Sequence, residues 1–152
     1  MNIAKINTLG QLKSSNYTSQ SIKEELRQNL ISHLKNKDKI FSTIKGYETT
    51  VIPDIERAIL SKHNIILLGL RGQAKTKIAR MLPSLLNEYI PVITDCPLNS
   101  DPLQPLSRYA KDLIAELGDD TPISWLHRND RYTEKLATPD VSIADLIGDV
   151  DP

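Results

Sequence analysis

A single cysteine, Cys96, stands in 152 residues. It excludes an internal disulfide and fits a reducing compartment. Aromatic residues are scarce, at 5%, with one tryptophan and one phenylalanine. Aliphatic side chains must therefore fill any core, and 39% hydrophobic residues are enough for one. Net charge is missing too, because 19 basic residues balance 19 acidic ones. No broad electrostatic attraction to nucleic acid or to an anionic membrane is expected. No apolar run reaches the length of a membrane span or has the layout of a signal peptide. Internal repeats and low-complexity tracts are absent. The expectation is a one-domain cytoplasmic protein.

What is present centres on Asn64 to Arg80. The order is an apolar run (Ile65 to Leu68), a glycine turn, Lys75–Thr76 and a helical pattern. That is the layout of a phosphate-binding loop, G-x-x-x-x-G-K-[ST]. Gly69, Lys75 and Thr76 fit, Ala74 stands at the second glycine position, and an extra glycine lies at Gly72. Ile65 to Leu68 is expected as a buried parallel strand. Gly69 and Gly72 would let backbone N–H groups converge on phosphate oxygens. The following helix would present its positive end to them. Lys75 would reach the β- and γ-phosphates and Thr76 would ligate Mg²⁺. The candidate nucleotide-binding residues here are Gly69, Arg71, Gly72, Gln73, Ala74, Lys75 and Thr76. Ala74 is expected at a helical or near-helical φ, where alanine costs little. A positive φ would instead strain it by about 1 kcal/mol.

Before the loop, residues 1–20 are polar and expected as a mobile or loosely docked lead-in. Ser21 and Glu24 have capping-box spacing. Ile22, Leu26, Leu30, Ile31 and Leu34 then mark an amphipathic helix to about Lys35. The unit 21–39 is read as this helix and its linker, and a partner-binding role for the helix is the sharper alternative to simple docking. A second helix is expected from Thr49 or Thr50, with Pro53 in its first turn and Ile52, Ile55, Ala58 and Ile59 as its buried stripe.

After the loop helix, Pro83 must kink the chain or start a fresh turn. Pro91 to Thr94 reads as a short strand and Asp95 to Pro102 as a loop. A helix runs to Leu117 with Leu106, Ala110, Leu113, Ile114 and Leu117 on one side, closed by Gly118. Ile123 to Arg128 and Arg131 to Ala137 could pair as a hairpin about Asn129–Asp130. Ser142 caps a short helix, Ile143 to Ile147.

A phosphate-loop NTPase also needs an acidic residue at the end of a second apolar strand. The one candidate is Asp95, after an Ile90 to Thr94 run that Pro91 and Thr94 interrupt. The simplest expectation is that the chain is the N-terminal part of a longer ATPase, with no catalytic residue of its own. Alternatives are a small phosphate-loop kinase using Asp95 and a helical interaction domain whose degenerate loop binds nothing.

Gly46–Tyr47–Glu48, the helix to Leu60 and the loop Gly69 to Thr76 together resemble the magnesium chelatase subunit I and MoxR branch of the AAA+ ATPases. Loops of that branch carry alanine where others carry glycine, as at Ala74. Cys96 to Pro102 resembles the C-P-x-N-x-D-P segment of chelatase-like members, and Asp145 to Pro152 their segment ahead of the second acidic motif. The resemblance covers roughly residues 40–152. It implies an α/β fold, a partial P-loop NTPase (AAA+) three-layer core preceded by the N-terminal amphipathic helix. It also implies ATP and Mg²⁺ as cofactors, a homo-hexameric ring, and chelatase-like or von Willebrand A-type partner subunits. Hydrolysis would remodel a partner, for example in metal insertion into a porphyrin. Ile44, Gly46 and Tyr47 would lie by the adenine, and the Mg²⁺-binding acid would follow Pro152.

Cys96 is read as a turn residue, since no second cysteine or suitably spaced histidine supports a metal site. Arg71 is either a phosphate or subunit contact or a solvated charge. Arg128 and Arg131 are expected as surface charges, and Trp125 as a core residue.

Overall fold

The computed structural model describes residues 5–38, 40–135, 138 and 140–148. Its elements are α1 (Leu9–Ser14), α2 (Ile22–Asn36), α3 (Val51–Leu60), α4 (Lys75–Met81), β1 (Tyr89–Ile93), α5 (Arg108–Leu117), β2 (Ile123–His127) and α6 (Ala144–Ile147). The chain is a small α/β protein whose sheet has two antiparallel strands. Residues 1–4 of the expected lead-in, Lys39, Leu136 and Ala137, and residues 149–152 of the final expected segment lie outside the described residues.

Local signals place several elements. Ser21 Oγ accepts from the Glu24 amide at 3.3 Å, so the capping-box spacing does start α2. Ser107 Oγ accepts from Ala110 N at 3.1 Å and starts α5. Pro53 sits in the first turn of α3, where its missing N–H costs nothing. Pro83 ends the α-helical pattern, and residues Leu82–Leu85 tighten into a 3-10 turn. Leu106, counted in the α5 stripe, lies before that helix and is exposed.

The main core joins the faces of α2, α3 and α4. Leu30, Phe41, Ile44, Ile55, Ile59, Ile78 and Leu85 are buried together there. A second cluster unites Ile6 and Leu12 with Ile123, and Trp125 packs against it. The Trp125 indole donates to the Ile6 carbonyl at 2.9 Å, which satisfies its polar tip as a core residue requires.

Four expectations are corrected. The described part of the lead-in, from residue 5, is not loosely held: α1 buries Leu9 and Leu12 at 1% and 0% exposure, and Leu9 N donates to Thr121 O at 2.9 Å. Its leucines outweigh its polar neighbours once β2 offers them a surface. The hairpin about Asn129–Asp130 does not form. β2 pairs instead with β1, from Tyr89↔His127 to Ile93↔Ile123, and Arg128–Arg131 make a 3-10 turn. The Arg131 side chain is largely covered rather than superficial, at 8% exposure. Its guanidinium grips Glu25 of α2 through bonds of 2.8 and 2.6 Å.

The fourth correction concerns Ile65 to Leu68. This stretch is not a strand of any sheet. Ile65 and Leu67 pack against the main core, while Ile66 and Leu68 are 82% and 88% exposed. A continuous apolar run becomes a buried strand only when neighbours cover both faces. Here α3 and α4 cover one.

Candidate phosphate-binding site

The segment from Gly69 to Ala74 turns the chain from that extended stretch into α4. Gly69 has φ +152° and Gly72 φ +81°, values that side-chain-bearing residues rarely adopt. At Gly69 a Cβ would also collide with the Gln73 carboxamide. The Gln73 Oε1 accepts from Leu70 N at 2.9 Å, so this side chain spans the loop.

Ala74 departs from expectation. It lies at φ +55° and ψ 15°, in the left-handed region, immediately before α4. Its methyl packs against the main core, which holds a conformation worth about 1–2 kcal/mol of local strain. The sequence signal of an alanine marks a tolerated substitution and not a helical backbone.

Lys75 opens α4. Its Nζ donates to the carbonyls of Gly69 at 2.9 Å and Leu70 at 2.5 Å. The ammonium is thus folded over the mouth of its own loop. Thr76 lies in the first turn of the same helix, which carries no acidic residue there. Arg71 is exposed at the loop tip.

A cavity of about 570 Å³ lies beside Lys75 and Thr76. Its far wall is Tyr132 to Lys135, expected as part of a hairpin strand and not as part of a site. Arg80, one turn after Thr76, donates through Nε to both oxygens of Glu134, at 2.9 and 3.0 Å. Tyr132 Oη donates to Glu134 Oε1 at 2.9 Å. The Arg80 hydrogen bond, then that of Tyr132, holds the Glu134 carboxyl below its ordinary range, so it is ionised at neutral pH. No periodicity links residues so far apart in the chain, and no spacing signal could have found the pair.

The pre-loop residues reach α4 indirectly. Lys77 Nζ donates to Thr43 O at 2.9 Å, which ties residues 40–47 to the loop helix. Ile44 is buried in the main core at 3% exposure, and Tyr47 packs against that core. Gly46, at φ +83°, makes the bend between them. Asp95 is exposed at a turn after β1, with φ +57°, and does not line the cavity at Lys75 and Thr76.

Cys96 belongs to a separate cluster with Ile93 and Ala110. Its Sγ lies 3.4 Å from Ser100 Oγ and 3.3 Å from Ser107 Oγ. Burial pushes the thiol up, but hydrogen bonding with these serines and with the backbone at Ser100 and Leu98 outweighs it and lowers the thiol to about 7. Among the described residues no group of three or more His, Cys, Asp or Glu side chains is placed to hold a metal ion. No helix there is long and apolar enough to cross a membrane.

Comparison with protein-family models, curated proteins and solved structures finds no match to this chain.

Proposed function

We propose that the chain is the ATP-binding portion of an AAA+ ATPase of the magnesium chelatase subunit I and MoxR type, with Mg-ATP seated at Gly69 to Thr76. The observation that carries this reading is the cradle at Gly69. Its backbone takes a conformation that favours glycine, and Lys75 folds over the same turn from the start of α4. The ammonium now rests on the carbonyls of Gly69 and Leu70, and the Leu70 N–H on Gln73; an anion entering this turn would take both donors.

In this reading the phosphates displace two internal contacts. The Gln73 carboxamide leaves Leu70 N–H, and the Lys75 ammonium leaves two carbonyls for phosphate oxygens. Thr76 supplies its hydroxyl to a Mg²⁺ carried by the nucleotide, and Arg71 lies at the rim. Ile44 offers a ligand only its backbone, since its side chain belongs to the core. Gly46 and Tyr47 follow it at the bend. The exposed edge of Ile65 to Leu68 is where flanking strands of a three-layer core would add.

The larger assembly belongs to the same proposal: a cytoplasmic homo-hexameric ring whose hydrolysis remodels a chelatase-like or von Willebrand A-type partner. The test is calorimetric titration of Mg-ATP into the wild-type chain and into Lys75→Ala. Saturable heat that the variant loses supports the reading. A folded wild-type chain that takes up no nucleotide contradicts it and favours a helical interaction domain.

A further inference from the structure

A second cavity lies on the opposite side of α2 from α3, away from the phosphate loop. It has a volume of about 340 Å³, near the lower end of the roughly 300–1,000 Å³ usual for small-molecule sites. The chain between α1 and α2, one face of α2, the start of β1 and the turn at Asn99–Asp101 enclose it. We propose that this cavity binds a small, uncharged polyhydroxylated molecule of monosaccharide size.

Charge is the first argument. At the base, Glu25 and Arg131 are nearly fully buried and satisfy one another, and Glu25 Oε1 also accepts from Asn87 N at 2.7 Å. Their charges cancel. The remaining charged group of the lining is Asp101. A phosphate or carboxylate would meet a surplus negative charge with no lysine in the wall to offset it.

Hydrogen-bonding capacity is the second. Each buried polar side-chain atom of the described residues has a partner. Of the lining residues, Tyr17 and Thr18 carry hydroxyls, and Asn16 and Asn99 amides, that make no side-chain hydrogen bond among the described residues. Asp101 spends Oδ1 on Ser19 Oγ and on the amides of Leu103 and Gln104, and keeps Oδ2. Burial first, then Asp101 and Glu25, raises the Tyr17 phenol, which therefore stays a protonated donor. Hydroxyls and amides both donate and accept, and a ring of alcohol groups matches them in kind. A bare amine would use only the acceptors.

Shape supplies the third. Ile90 and Pro91 form an apolar strip in the same wall. A sugar ring has a C–H face that such a strip covers while its hydroxyls turn to the polar side.

The experiment follows amide NMR signals of the wild-type chain during titration with D-glucose, with myo-inositol and with a glucose phosphate ester. A neutral probe is expected to shift the signals of Tyr17, Asn99 and Asp101. Tyr17→Phe and Asp101→Asn should each weaken that binding about fivefold, the effect of one lost hydrogen bond. The phosphate ester should bind roughly tenfold more weakly, from like-charge repulsion. Silence toward both neutral probes in a folded chain overturns the proposal. So does binding that neither variant changes, or a phosphate ester that binds as well as the neutral sugar.

Discussion

Glu25 and Arg131 stand 106 residues apart in the chain and meet in a buried, two-pronged ion pair, with bonds of 2.8 and 2.6 Å. The pair ties α2 to the segment after β2. Removing one partner leaves the other charge buried without compensation. Glu25→Ala is therefore expected to cost about 3–5 kcal/mol, measured by urea denaturation. Replacing both residues with methionine should restore much of that loss, since desolvation of two charges is then avoided. Equal losses in the single and the double variant would show that the ion pair is not what matters there.

Ala74 gives a prediction of opposite sign. At φ +55° its side chain is strained, and Ala74→Gly relieves the strain at a cost in unfolded-state entropy. A net gain of about 0.5–1 kcal/mol is expected in the absence of nucleotide. A loss of stability in the glycine variant would mean that the packing of the methyl against the main core outweighs the backbone strain.

Much of this architecture was legible locally. Ser21, Ser107, Pro53 and Pro83 act on their own turns, and each marks its element as the sequence suggests. The glycines and Lys75–Thr76 likewise sit together because they are neighbours in sequence. What could not be read depends on distant partners. Ile65 to Leu68 has the composition of a buried strand, yet burial on both faces needs strands that do not flank it in this structure. β2 finds β1 across the intervening α5, and a turn-like Asn129–Asp130 says nothing of that choice. Arg131 looks like a surface charge until Glu25 is brought to it, and nothing local pairs the exposed Glu134 with Arg80.

Cys96 gives the chain a pH dependence near neutrality. Its thiol is lowered to about 7 in the folded chain, against about 8.5 for a free cysteine. A depressed acid stabilises the fold most above its unfolded pKa and loses that contribution as pH falls through its folded value. Stability should therefore rise between about pH 7 and pH 8.5. Cys96→Ser should flatten that rise. Denaturation midpoints across this range check it, and thiolate absorbance should titrate near the folded value.

Turnover is expected to be slow for this chain by itself. The carboxylate in the wall beside Lys75 and Thr76 is Glu134, and Arg80 and Tyr132 already hold it. Phosphoryl transfer needs an acid and a cation aligned on the reacting groups together. A phosphate-release assay should give no more than a trace above background. Turnover at rates ordinary for an ATPase would place the needed acid within these residues, with Glu134 the first to test.

The most direct measurement is Mg-ATP titration followed residue by residue through backbone amide signals. Saturable shifts are expected to concentrate at Gly69, Leu70, Gly72, Lys75 and Thr76, with the Leu70 amide responding as the Gln73 carboxamide leaves it. Lys75→Ala should abolish these shifts while the signals of the main core stay in place. Shifts that cluster elsewhere, or a folded chain whose loop signals never move, would contradict a phosphate site at Gly69 to Thr76.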